Sequence, residues 1–225
     1  MRWLDLAFLH WPVPADQVRR LLPPGVELDT FDGDAWIGLV PFRMNGIRHR
    51  LFAPVPGLCA FHELNVRTYV TRDGKPGVWF FSLDAANPFA VLAARRTFHL
   101  RYFHARMRST TSGGGIIKYE SVRAHPGELP ARFIGGYRPT GDVLSTSRGT
   151  LEHFLTERYC LYCVDPTGCI LRGDIHHSPW RLRRAEAELC ANTMTCPLGI
   201  ELPDARPLVH VADRIDAVAW RLVPA

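Results

Sequence analysis

Between Phe61 and Arg108 the chain gathers side chains suited to proton transfer and to holding a carboxylate. The run FHELNVRTYV alternates, so Glu63, Asn65, Arg67 and Tyr69 share one face of a strand. Leu64, Val66, Thr68 and Val70 share the other. A second strand, Leu100 to Arg108, puts Tyr102, His104, Arg106 and Arg108 on one side. If these faces look at each other, Arg67 can grip a carboxylate through two parallel hydrogen bonds. Glu63 or His104 can then move a proton, and Tyr102 can donate to an enolate-like oxygen. Asn65 and Tyr69 would complete the binding surface. The competing expectation is a strand face open to water, which alternation also describes. His10, beside Leu9 and Trp11, is a further candidate for the lining, and so is His176. His176 and His177 are adjacent on a strand in IHHSPW, so one of them at most enters a shared site, and which one is left open.

Other chemistries find less support. Cys160 and Cys163 lie in a strand-like run, where their sulfurs point to opposite faces, unlike a zinc knuckle. No helical His-x-x-x-His pattern, phosphate loop, dinucleotide fingerprint or nucleophile elbow is present. No metal and no cofactor is expected. Of the two lysines, Lys75 sits in the turn DGKPG and Lys118 follows a glycine-rich turn. Neither setting promises the burial a reactive amine needs.

Composition narrows the class. The net charge of +5 comes from scattered arginines, not from a basic stripe, which argues against nucleic-acid binding. No apolar run approaches the roughly 20 residues of a membrane helix. The opening MRWLDLAFLHWPVP reads as a first strand, because Asp5 and His10 interrupt it and no small-residue cleavage site follows. The six cysteines are expected to be reduced thiols in a cytoplasmic protein.

The elements that must position the candidates are short strands with Gly/Pro turns. Strands are expected over Trp3 to Trp11, Val26 to Phe31, and Ala35 to Met44 with a break at Pro41. Asp73-Gly74 turns the strand from Phe61 into the apolar run Val78 to Leu83. Asn87 caps a helix that starts at Pro88 and runs to about Phe98. Further strands cover Ile116 to His125, Ala131 to Pro139, Tyr159 to Val164 and Cys169 to His176. A short helix precedes Tyr159, where Glu152 finds no obvious partner. Arg184 to Cys190 fits either a helical turn or a strand. Leu208 to Leu222 holds one or two last strands. The segment from Asn45 to Leu58 reads as a long loop over an opening. The pattern predicts one mainly β domain over residues 1–225, a barrel or a pair of packed sheets with a few short helices.

The words LHWPVP, LLPPGVELDTFDGDAWIGLVPFRM, ELNVRTYV, GVWFFSLDA, LEHFLTERYCLY and IHHSPW resemble the YqjF-like family of bacterial proteins. That family is grouped with acetoacetate decarboxylase-like folds, a β-barrel around a central cavity. The run LAARRTFHLRYF is similar to the decarboxylase helix that leads to the reactive lysine. In that register the lysine falls at Tyr102, which cannot form an imine. The resemblance therefore implies the fold and a pocket for a small-molecule ligand, with Glu63 nearest to the decarboxylases' active-site glutamate. It also implies homo-oligomers, frequent among those decarboxylases. The expectation is non-Schiff-base acid–base or enolate chemistry on a small carboxylate or β-keto compound. The alternative is a non-catalytic binding protein or sensor with the same pocket.

Overall fold

The computed structural model describes residues 1–47 and 59–225. Most of the segment expected to loop over an opening thus lies outside the described residues. Twelve strands occur among those described: β1 (Arg2–Val13), β2 (Glu27–Leu28), β3 (Ala35–Asn45), β4 (Phe61–Arg72), β5 (Lys75–Ala85), β6 (Tyr102–Thr111), β7 (Ile117–Arg123), β8 (Arg132–Val143), β9 (Cys160–Val164), β10 (Ile170–His177), β11 (Arg183–Asn192) and β12 (Leu208–Pro224). Three short helices join them: α1 (Ala15–Arg19), α2 (Pro88–Thr97) and α3 (Leu151–Thr156).

Strand pairing closes on itself twice. One ring runs β5-β6-β7-β8-β11-β12-β1-β3-β4 and returns to β5. A second runs β5-β9-β10-β12-β1-β3-β4 and also returns to β5. The rings share β1, β3, β4, β5 and β12. Alternation along a shared strand therefore feeds two interiors. On β1, Leu9 enters the main core with Ile37, Leu64, Val66 and Phe133, while Phe8 packs with Val40, Phe42, Trp180 and Leu182.

This explains why β4 does not bury one face and wet the other. Leu64 and Val66 are fully buried, yet Glu63 is 2% exposed, Asn65 5% and Tyr69 0%. The polar face looks into the smaller ring and not into solvent.

Several expectations change. Pro41 does not break β3, which pairs through it with Leu64 of β4. A proline lacks the N–H of a ladder position, and the β1–β3 register shifts between Leu4 and Leu9, on the other side of Pro41, with Asp5 at φ 53°. The defect falls where the ladder is already irregular. Val26 to Phe31 contributes only the two residues of β2. The ambiguous segment is strand β11, and the last segment is one continuous strand. The expectations around α2 match: the Asn87 side chain accepts from the N–H groups of Phe89 and Ala90, and Pro88 opens the helix.

Candidate functional site

Glu63 is placed by β4 opposite Phe42 of β3 and Ala85 of β5. Tyr102 opens β6 beside Leu83, two positions away on the same face. Its hydroxyl donates to Glu63 Oε2 at 3.0 Å. Beneath the pair, the buried Tyr119 hydroxyl shares its proton between the carbonyls of Glu63, at 2.8 Å, and Phe42, at 3.0 Å, which fixes the backbone that carries Glu63. Burial pushes the Glu63 carboxyl up to about 8; the Tyr102 hydrogen bond opposes this and the nearby Asp84 adds to it. Burial and Glu63 together hold the Tyr102 phenol well above its ordinary range.

Asp84 and Arg123 form a fully buried ion pair on the reverse face of this sheet, which sequence reasoning missed. Arg123 reaches Asp84 through Nε at 3.1 Å and Nη2 at 2.7 Å, with its guanidinium 4.2 Å from the Phe103 ring centre. The one available signal was an aspartate inside the apolar run VWFFSLDA. Its partner lies 39 residues away, beyond any local pattern.

The remaining candidates do not converge on Glu63. Arg67 turns across Gly38 toward β1. Its guanidinium carbon lies 5.3 Å from the Phe8 ring and 5.5 Å from the Tyr69 ring, and Nη2 donates to the Leu155 carbonyl at 3.1 Å. Tyr69 and His10 are joined, hydroxyl to Nε2, at 2.6 Å. Burial, then the charges of Arg67 and His210, keep His10 well below its usual range and so neutral. Burial raises the Tyr69 phenol, against the pull of Arg67. Gly38 allows this meeting: a Cβ there would lie 3.0 Å from His10 Nε2 and 3.3 Å from Arg67 Cγ. Asn65 lies on the same face, one strand repeat from each end, with Oδ1 buried and unpartnered. Sequence reasoning missed Trp36 here and found no partner for Glu152. His210 is fully buried, 3.9 Å from the carboxylate of Glu152, and Trp36 packs with Tyr69 and Leu155.

Two further placements correct the expectations. His176 is exposed, and its neighbour His177 is the buried one, stacked on Tyr159 at 4.7 Å and bonded through Nδ1 to the Ser178 carbonyl at 2.8 Å. The alternation was right, but only the pairing of β10 with β12 decides which residue faces out. His104 is half-buried in register with Ala85, and its backbone N–H donates to His125 Nδ1 at 3.1 Å. Lys118 is exposed on β7, and Lys75 is paired with Asp174 at 2.8 Å. Among the described residues, then, neither lysine is a buried amine.

Residues 1–216 match a family described as an "uncharacterized conserved protein", DUF2071. The chain belongs to the DUF2071 family. YqjF of Bacillus subtilis (strain 168) is 46% identical over 220 residues, spanning 98% of this chain and 89% of its own. Solved structures extend the likeness beyond DUF2071. The enduracididine biosynthesis enzyme MppR, complexed with pyruvate, superposes with a TM-score of 0.67 at 13% identity, covering 99% of this chain and 88% of that one. Acetoacetate decarboxylase from Legionella pneumophila gives 0.65 at 13% identity, covering 99% and 86%. At such identities the likeness is one of fold, and this DUF2071 protein has the acetoacetate decarboxylase-like fold. No helix among the described residues is long and apolar enough to cross a membrane.

Proposed function

We propose that this DUF2071 protein performs acid–base chemistry at a carbon next to a carbonyl, on a keto acid or related small carboxylate, without a Schiff base. The activity would be lyase-like or isomerase-like. The observation that carries this reading is the part-buried hydrogen bond from Tyr102 to the buried Glu63, at the position where the resemblance places the decarboxylase lysine. An ionised Glu63 accepts a proton from the carbon, Tyr102 donates a hydrogen bond to the oxygen that becomes enolate, and Glu63 returns the proton. A carboxyl held near 8 suits both halves of that cycle at neutral pH. Of the proteins with the same fold, MppR is complexed with pyruvate and another is an acetoacetate decarboxylase, which makes pyruvate and acetoacetate the first compounds to test.

The test is exchange of the α-protons of pyruvate and acetoacetate in D2O, followed by NMR. Wild type is expected to exchange them, Glu63→Gln to lose roughly 100-fold or more, and Tyr102→Phe roughly 10-fold. The rate should rise with pH until Glu63 is ionised, levelling off above about 8. Absence of exchange with every keto acid tried would sink the enzymatic reading. The second reading, a binding protein or sensor, is favoured by the fixed seat of Arg67 between Phe8, Tyr69 and the Leu155 carbonyl. It predicts a ligand-dependent rise in melting temperature with no exchange.

A further inference from the structure

The sheet that carries Glu63 and Tyr102 has a second face, which looks into the larger ring. Leu64 and Val66 of β4 point that way, into the main core. Val66 stands opposite Ser82 of β5, and Leu64 opposite Asp84. Alternation therefore puts Ser82 and Asp84 on the face away from Glu63. Asp84 stands beside Phe103 of β6, and Arg123 reaches it from β7, one strand further on.

Next to this ion pair the fold leaves a cavity of about 80 Å³ at the margin of the main core. Ser82 and Arg123 line it, and both are almost wholly buried: Ser82 is 4% exposed and the Arg123 side chain 4%. Phe81 and Phe103 complete that wall. Met194, Pro197 and Leu198, from the connection between β11 and β12, add an apolar lining. Arg101, Glu128 and Leu129 also line the cavity and are exposed, so they mark its mouth.

Two features of the buried wall call for an occupant. Ser82 Oγ is buried and has no hydrogen-bond partner. A hydroxyl in that state is destabilising until a group in the cavity meets it. Asp84 takes Nε and Nη2 of Arg123, at 3.1 and 2.7 Å, and no described residue accepts from Nη1, which has two N–H groups of its own. Both features offer donors, so the wall takes an oxygen acceptor, and a guanidinium favours a charged one. The charges of Arg101 and Glu128 stand in water at the mouth and weigh less. Size sets the rest of the ligand. The volume has room for roughly five to eight water-sized groups.

We propose that this cavity is a second ligand site, taking a short aliphatic monocarboxylate with its carboxylate on Ser82 and Arg123 and its chain against Met194, Pro197 and Leu198. The sheet separates it from Glu63 and Tyr102, so it stands whether or not that pair is catalytic.

The probes are acetate, butyrate, octanoate and butyramide, titrated by calorimetry at neutral pH. Butyrate fills the space and is expected to bind with a dissociation constant of about 1 mM or below, within what so few atoms can supply. Butyramide, of the same size and without charge, should bind at least tenfold more weakly. Acetate should be weaker than butyrate, and octanoate, too long for the space, should gain nothing over it. Arg123→Gln would strand Asp84 in the interior, so the variants are Ser82→Ala and Leu198→Trp. Ser82→Ala should lose about fivefold to tenfold in butyrate affinity. Without ligand its urea midpoint should be no lower than that of wild type, since the hydroxyl it removes has no partner. Leu198→Trp fills the cavity and should abolish binding. Glu63→Gln should bind butyrate as wild type does, which keeps this site distinct from the proton-exchange reading. No binding at tens of millimolar, equal binding of butyrate and butyramide, or binding untouched by Ser82→Ala overturns the inference, and the cavity then holds water alone. Binding that is lost in Glu63→Gln also overturns it, by placing the carboxylate on the other face of the sheet.

Discussion

Glu63 is a carboxyl whose ionisation the fold opposes, and this makes it testable apart from any ligand. Its carboxyl is pushed from 4.5 to about 8 by burial. Between those values the folded chain binds a proton that the unfolded chain has released. Stability from this group is therefore complete below pH 4.5 and is lost as the pH rises through 8, by at most about 1.4 kcal/mol per pH unit. Glutamine has the shape of the protonated acid and no charge to lose. Urea titrations of wild type and Glu63→Gln from pH 5 to 9 are expected to show the variant gaining on wild type as the pH rises. Parallel curves would mean that Glu63 ionises freely and is not held in a closed interior. The same contrast keeps the roles of Glu63 and Tyr102 distinct: Tyr102→Phe removes a hydrogen bond that favours the charged carboxylate, so it should carry the decline on to higher pH than in wild type.

At the scale of elements, the sequence was most informative where local rules act alone. Asp73-Gly74, with φ of 50° and 73°, makes the tight turn read from its residues, and Asn87-Pro88 opens α2 as expected. The shared polar face of Glu63, Asn65, Arg67 and Tyr69 was also legible, because period-two alternation needs no partner. Its burial was not, since a strand shared by two rings looks the same in sequence as a strand on a wet surface. Nor could the sequence say that Arg67 and Glu63 diverge, or that His177 and not His176 is buried, because those outcomes depend on neighbouring strands. Gly77 shows how narrow such neighbour effects are. A Cβ there would lie 2.7 Å from Tyr162 Cε2 and 3.0 Å from the Cys160 carbonyl, at the seam where β5 meets β9. The carbonyl belongs to the backbone and cannot swing away. Gly77→Ala is thus expected to cost about 1–3 kcal/mol in thermal or urea unfolding. Gly38→Ala, which meets only side chains, should cost less stability but displace His10 and Arg67. Equal stability loss at the two positions would show that the β5–β9 seam is looser than its contacts require.

The two rings have a consequence for the molecule as a whole. The main core contains Leu9, Ile37, Leu64, Val66 and Phe133; the second contains Phe8, Val40, Phe42, Trp180 and Leu182. Neighbouring residues of one strand enter different cores, as Leu9 and Phe8 do, and Leu39 and Val40 do. Neither core can come apart without moving strands that carry the other. Despite its 225 residues the chain should therefore unfold as a single cooperative unit. Far-UV circular dichroism follows all the strands, and tryptophan fluorescence reports on side-chain packing in both cores, through Trp11 in the main one and Trp180 in the second. The two probes are expected to trace one transition. Phe133→Ala in the main core and Leu182→Ala in the second should each lower its midpoint, at a cost of about 2–5 kcal/mol, and the probes should stay coincident in both variants. If Leu182→Ala instead shifts fluorescence ahead of the dichroism, the second ring melts separately. The candidate site on its inner face would then sit on a subdomain with its own stability, free to open around a ligand while the larger ring stays closed.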